Sequence, residues 1–193
     1  MIDLGREEIR RDRLLERMEL QERVQSETGK YAFYQSLCEQ LSALLGSETN
    51  FIANAANTAA LLFDSLTDVN WVGFYIADGE DLVLGPFQGK PACARIPFGK
   101  GVCGAAAESQ NTVVVADVNQ FPGHIACDTA SRSEIVLPLI TWGKLVGVLD
   151  IDSASLDRFD EEDREGLESI VSVFLASQAT YEIPDLSEEA AES

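Results

Sequence analysis

Three cysteines and the chain's only histidine fall in its turn-rich middle. Cys93, Cys103 and Cys127 are spaced C-x9-C-x23-C, and His124 stands three residues before Cys127. Neither spacing is the CxxC of a thioredoxin motif or a zinc ribbon. Two chemistries stay open on the residues alone. One is a Cys3His zinc site built from Cys93, Cys103, His124 and Cys127, although the first spacing is loose for zinc and nothing repeats. The other is thiol redox chemistry, in which one thiolate attacks and a second cysteine resolves the product. Cys127 suits the nucleophile because its loop, from Phe121 to Glu134, runs straight into a branched apolar segment that would anchor it. Cys103 competes for that role, since the start of a short helix lowers a thiol's pKa. His124 is at best an assistant or a loop-packing residue, and Cys38 reads as a small, unreactive, half-buried side chain.

Carboxylates form a second constellation. Asp150 and Asp152 share one face at the end of a strand pattern, and Glu134 begins the neighbouring strand of the same hairpin. Paired antiparallel, the three acids come together. Crowded carboxylates raise one another's pKa, which suits a proton donor or a seat for an ammonium group. Trp71 and Tyr75 share a strand face, opposite Val72, Phe74 and Ile76. An aromatic strand face is usually core, and lining a pocket is its less common use.

The elements that must position these groups follow from periodicity. Residues 6–25 carry many charges, strong helix formers and no Gly or Pro, and read as a solvated helical extension. Phe33, Leu37, Leu41, Leu44 and Leu45 recur at helical spacing up to Gly46, and a second helix runs from Phe51 to about Leu66, with Thr49 and Asn50 as caps. Two strands flank the turn Asp78-Gly-Glu-Asp81, from Val69 to Ala77 and from Leu82 to Gln88. The segment Gly89–Pro97 is too rich in Gly and Pro for a central strand. A short helix over Gly101–Ser109 and a strand over Thr112–Ala116 precede the Cys127 loop. Two more strands, Glu134–Thr141 and Leu145–Asp152, close around Trp142-Gly143. A last helix opens with the acids Asp160–Asp163 and runs to about Thr180. The order implies an α+β arrangement, a mostly antiparallel sheet with helices grouped at the chain ends.

Composition narrows the function. With 193 residues and 46% hydrophobic content, one substantial core is expected. A formal charge of -19, from 33 acidic against 14 basic residues, argues against nucleic acid and anionic membranes as partners. There is no apolar signal core at the amino terminus and no run of about 18 apolar residues, so a cytoplasmic protein is expected. Cysteines in a reducing compartment point to catalysis, metal or inertness rather than a permanent disulfide framework.

Several motifs in order carry a resemblance. Asn70–Tyr75, Gly85–Cys93, Ile96–Gly104, Gly123–Asp128, Ser133–Pro138 and Gly147–Ser153 resemble the corresponding stretches of the free methionine-(R)-sulfoxide reductases, a GAF-domain family. The similarity spans Tyr31 to Thr180. It implies a GAF catalytic domain over residues 31–180, leaving 1–30 as a charged helical extension and 181–193 as an acidic tail. It also implies reduction of free methionine (R)-sulfoxide through a cysteine sulfenic acid and an intramolecular disulfide, recycled by a thioredoxin-type reductant. By resemblance Cys127 is catalytic, Cys93 resolving and Cys103 auxiliary, which overrules the helix-start argument for Cys103. Glu134, Asp150 and Asp152 match the substrate-contacting acids, and Trp71 and Tyr75 match the aromatic wall. No metal or other cofactor is implied, and the family is often dimeric. The alternative is a GAF small-molecule sensor without turnover; it would not need this cysteine set.

Overall fold

A computed structural model describes residues 29–123 and 130–178. Residues 1–28 of the expected charged extension, the residues from His124 through Cys127 to Thr129, and residues 179–193 with the acidic tail lie outside the described residues, while residues 29–30, expected in the extension, belong to α1. Six strands form one antiparallel sheet: β1 (Trp71–Asp78), β2 (Asp81–Gln88), β3 (Arg95–Pro97), β4 (Val113–Val115), β5 (Ser133–Thr141) and β6 (Lys144–Ser153), in the order β3-β2-β1-β6-β5-β4. Helices α1 (residues 29–45), α2 (Phe51–Ser65), α3 (Gly101–Ser109) and α4 (Glu161–Ser177) pack on its two faces.

Local sequence explains most of these boundaries. In α1, Phe33, Leu37, Leu41 and Leu45 recur every fourth residue and are buried, each burial contributing roughly 1.5–3 kcal/mol. Leu44, expected in the same stripe, is one step off it and lies exposed. Asn50 caps α2, its side chain accepting a hydrogen bond from the Ala53 N–H at 3.0 Å. Asp160 and Asp163 form a capping box at the start of α4. The β5–β6 turn has Trp142 and Gly143 at φ 52° and 73°, the left-handed pair that a two-residue hairpin needs.

Two elements were not anticipated. The Gly- and Pro-rich stretch after β2 supplies the three-residue strand β3, which sits at the sheet edge, where a proline is tolerated. A single 3-10 turn, Val118–Gln120, follows β4, and the Asp117 side chain caps it.

The two faces of the sheet are packed differently. Val72, Phe74, Ile135, Leu137, Leu139, Leu149 and Ile151 meet α1, α2 and α4 in the larger core. Trp71, Tyr75, Val136 and Val148 point the other way and meet Val102, Cys103, Ala106 and Ala107 of α3. Strand alternation, with its period of two, delivers Glu134 and Asp150 to this second, smaller core. The acids are therefore buried under α3.

Candidate active site

The register of three neighbouring strands assembles the site. Asp152 of β6 lies opposite Trp71 of β1 on one side and Glu134 of β5 on the other; one row further on, Asp150 lies between Gly73 and Val136. Directly opposed residues share a face, so Trp71, Asp152, Glu134 and Asp150 converge. Tyr75 is two residues along the same strand face. Its phenol is pushed up by burial and by the charges of Asp150, Cys103, Asp152 and Glu134, which places it within the field of the cluster.

Helix α3 lowers Cys103 onto this row of acids. Its close approach depends on Gly104, where a Cβ would come within 2.4 Å of the Pro97 carbonyl oxygen. The Cys103 thiol donates to Glu134 Oε1 at 3.8 Å. Burial, then the charges of Asp150 and Glu134, hold this thiol well above its ordinary pKa. The helix-start expectation of a low-pKa Cys103 is thus overturned, because burial beside two acids outweighs a helix dipole.

Glu134 and Asp150 are close neighbours under α3. Glu134 is pushed well up by burial and by the charges of Asp150 and Asp152, with a hydrogen bond to Asp150 adding to the rise. Asp150 is also raised by burial, to about 7, and less than Glu134 because it accepts hydrogen bonds from Cys103, Glu134 and the Ile151 N–H. By geometry Asp150 Oδ1 is buried and meets no hydrogen-bond donor among the described residues. Among the described residues no cation pairs with either carboxyl.

Aromatic rings close one side. The Trp71 ring stacks between Tyr75 and Phe87, with centroids 5.9 Å and 5.4 Å away. Its indole N–H donates to the Lys90 carbonyl, and the Tyr75 hydroxyl donates to the Cys93 carbonyl at 3.1 Å. Tyr75 thereby ties the Cys93 segment to the acid row. The residues missed by sequence reasoning are Phe87, which backs Trp71, and Gly73, where a Cβ would come within 2.4 Å of the Trp71 ring. A glycine two positions from a tryptophan on one strand face was the available signal.

Cys93 is disulfide-bonded, whereas Cys38 and Cys103 are free thiols. The Cys3His zinc set is accordingly unavailable in this state. Cys38 lies half-buried against the larger core, far from the acids in the fold. Of the nominated residues, the fold brings together Trp71, Tyr75, Cys93, Cys103, Glu134, Asp150 and Asp152; Cys127 and His124 lie outside the described residues. A different group, Cys103, Glu134 and Asp150, has ligand atoms within 4.8 Å of one another.

The chain is similar to known proteins over most of its length. Residues 51–177 match the GAF domain family. A free methionine-R-sulfoxide reductase of Escherichia coli is 53% identical over 143 residues, covering 74% of this chain and 87% of the relative. One from Saccharomyces cerevisiae is 42% identical over 156 residues, covering 77% and 87%. The fRMsr of Staphylococcus aureus, solved in complex with substrate, superposes with a TM-score of 0.73 at 51% identity, covering 76% of this chain and 95% of that one. The chain belongs to the free methionine-R-sulfoxide reductase family of GAF-domain proteins.

Proposed function

We propose that this protein reduces free methionine (R)-sulfoxide to methionine, with Cys127 as the nucleophile. The observation that carries the reading is the buried pair Glu134 and Asp150, which no cation among the described residues neutralises and which faces an aromatic wall beside a disulfide-bonded cysteine. A zwitterionic substrate supplies what that site lacks. Its ammonium answers the charge of Asp150 and Asp152, and its methyl sulfoxide fits against Trp71 and Tyr75.

The chemistry follows from the charge states. Cys127 thiolate attacks the sulfoxide sulfur while Glu134, kept protonated by its burial, gives its proton to the oxygen. The S–O bond breaks, the hydroxyl passes to the cysteine as a sulfenic acid, and methionine leaves. Cys93 then attacks the sulfenic sulfur, expelling water and forming a disulfide. A thioredoxin-type dithiol returns both cysteines to thiols and is itself oxidised. In support of this chemistry, Cys93 is disulfide-bonded while Cys38 and Cys103 are free thiols. Cys103 serves better as a buried hydrogen-bond donor to Glu134 than as a nucleophile.

The test is turnover of the separate R and S epimers of free methionine sulfoxide with dithiothreitol as reductant. Conversion of R alone is expected, with loss of activity in Cys127→Ser. Equal conversion of both epimers, or an unimpaired Cys127→Ser protein, would sink the assignment. Tight sulfoxide binding without any turnover would instead favour a sensor.

A further inference from the structure

The trio under α3 has the dimensions of a coordination shell. Cys103 Sγ and Glu134 Oε1 are 3.8 Å apart, and ligand atoms of Cys103, Glu134 and Asp150 all lie within 4.8 Å of one another. In a tetrahedral site with Zn–S near 2.3 Å and Zn–O near 2.1 Å, the sulfur-to-oxygen edge is about 3.6 Å. The Cys103–Glu134 edge needs only a small contraction, and the Asp150 carboxylate, within 4.8 Å of both, closes in by a further side-chain adjustment. A second, independent observation points the same way: Asp150 is 6% exposed, and its Oδ1 has no hydrogen-bond partner among the described residues. Such an orphaned carboxylate oxygen is costly in a native core unless a ligand satisfies it.

We propose that Cys103, Glu134 and Asp150 form a binding site for one thiophilic divalent cation, Zn2+, that exists in the disulfide form of the protein. One thiolate with two carboxylates selects zinc over Mg2+ or Ca2+, which favour all-oxygen shells. Three protein ligands leave a fourth position for water. The cation displaces the thiol proton of Cys103 and the carboxyl proton of Glu134, and both go to solvent, so affinity rises with pH. The site survives oxidation because Cys103 is a free thiol while Cys93 is disulfide-bonded.

The consequence for catalysis rests on the function proposed above. Zinc would occupy the carboxyl groups assigned to the sulfoxide oxygen and the substrate ammonium. Metal and substrate would then exclude each other, making zinc a reversible inhibitor.

Cobalt reports on such a site directly, because tetrahedral Co2+ bound to thiolate has intense visible bands and a near-ultraviolet sulfur-to-metal band. The oxidised full-length Cys38→Ser protein, whose remaining free thiol is Cys103, is titrated with Co2+ and then with Zn2+. One equivalent of cobalt with both band sets, bleached by Zn2+, is expected. Added Cys103→Ala should abolish the sulfur band, and Asp150→Asn should weaken binding at least tenfold. Missing bands in the Cys38→Ser parent would overturn the site. So would a Cys103→Ala protein that keeps the sulfur band, or a folded Asp150→Asn protein of unchanged affinity, the latter deciding the matter if Cys103→Ala fails to fold. Free methionine (R)-sulfoxide should also bleach the cobalt bands. Its failure to do so would refute the exclusion, whereas absent sulfoxide turnover with intact cobalt bands would count against the reductase reading alone.

Discussion

Asp163 and Asp150 are both buried carboxylates in this fold, 1% and 6% exposed, yet their surroundings are opposite. Asp163, in the first turn of α4, has every oxygen engaged. Its Oδ2 meets Lys30 Nζ at 2.6 Å, Arg158 Nη1 at 3.1 Å and the Asp160 N–H at 3.1 Å, and its Oδ1 accepts from the Tyr34 hydroxyl at 2.8 Å. Asp150 lies beside Glu134 and, among the described residues, meets no cation and keeps one oxygen without a hydrogen-bond partner. A charge fully answered by its own chain holds elements together. A charge left unanswered in a core is unfavourable for folding and is explained by something that binds there. The first cluster ties α1 to α4 and the β6–α4 connection; the second faces the aromatic wall.

The largest expected effect breaks the first cluster. Asp163→Ala leaves Lys30 and Arg158 without their shared partner and removes half of the capping box, so a loss of about 3–5 kcal/mol is expected in urea unfolding. The specific activity of whatever remains folded should be unchanged. A stable Asp163→Ala protein with impaired activity would erase the division between the two clusters.

Glu134→Gln is the mirror experiment. It removes a group whose ionisation burial opposes, so stability at neutral pH should hold or rise, while the lost general acid should lower kcat about a hundredfold. Turnover kinetics and urea unfolding on the same preparation separate the two effects. Loss of stability together with activity would make Glu134 a structural residue like Asp163.

Much of the second cluster was legible from residues, and its limits are instructive. Glu134 was placed near Asp150 and Asp152 from the hairpin alone, and the two-residue turn at Trp142-Gly143 supported that. A plain two-residue hairpin with Thr141 opposite Lys144 would, however, put Glu134 opposite Ile151, facing the other core. A register shift between Leu139 and Ile140 restores the pairing of Glu134 with Asp152. Nothing in the local pattern announces that bulge. Gly147, where a Cβ would meet the Tyr75 carbonyl oxygen at 2.2 Å, marks its neighbourhood only after the strands are in place. The first cluster was hidden for a different reason. The acids of α4 read correctly as a helix start, but Lys30, grouped by sequence with the charged extension, lies in α1 and reaches Asp163 across 133 positions of chain. Long-range ion pairs leave no periodicity to read. The Cys103 error came from applying a dipole rule without knowing that α3 would press its thiol against a buried acid row.

The second cluster also has a pH signature. Glu134 and Asp150 have folded-state pKa values above their unfolded values of about 4, so folding takes up protons. Their contribution is fully present below about pH 4 and is lost as pH rises through the folded value of Asp150, about 7. The difference in unfolding free energy between the native protein and Glu134→Gln/Asp150→Asn should therefore move against the native protein between about pH 5 and 8. Parallel curves for the two proteins would mean that the pair is hydrated rather than buried.

Lys30→Gln gives the smallest shift and the sharpest view of the first cluster. Lys30 bridges Asp160, which is largely exposed, and Asp163, which is not, while its own side chain is 29% exposed. Water therefore screens part of its attraction, and Arg158, only 11% exposed, stays on Asp163 in the variant. A loss of about 1 kcal/mol is expected at low salt, shrinking as salt rises, with unaltered sulfoxide turnover. A salt-independent loss of about 3 kcal/mol would shift the weight from Arg158 to Lys30, because only a partner whose removal leaves a buried charge uncompensated costs that much. Asp163 would then depend on a residue at the start of α1, making the docking of that helix, rather than the β6–α4 connection, the main support of this buried carboxylate.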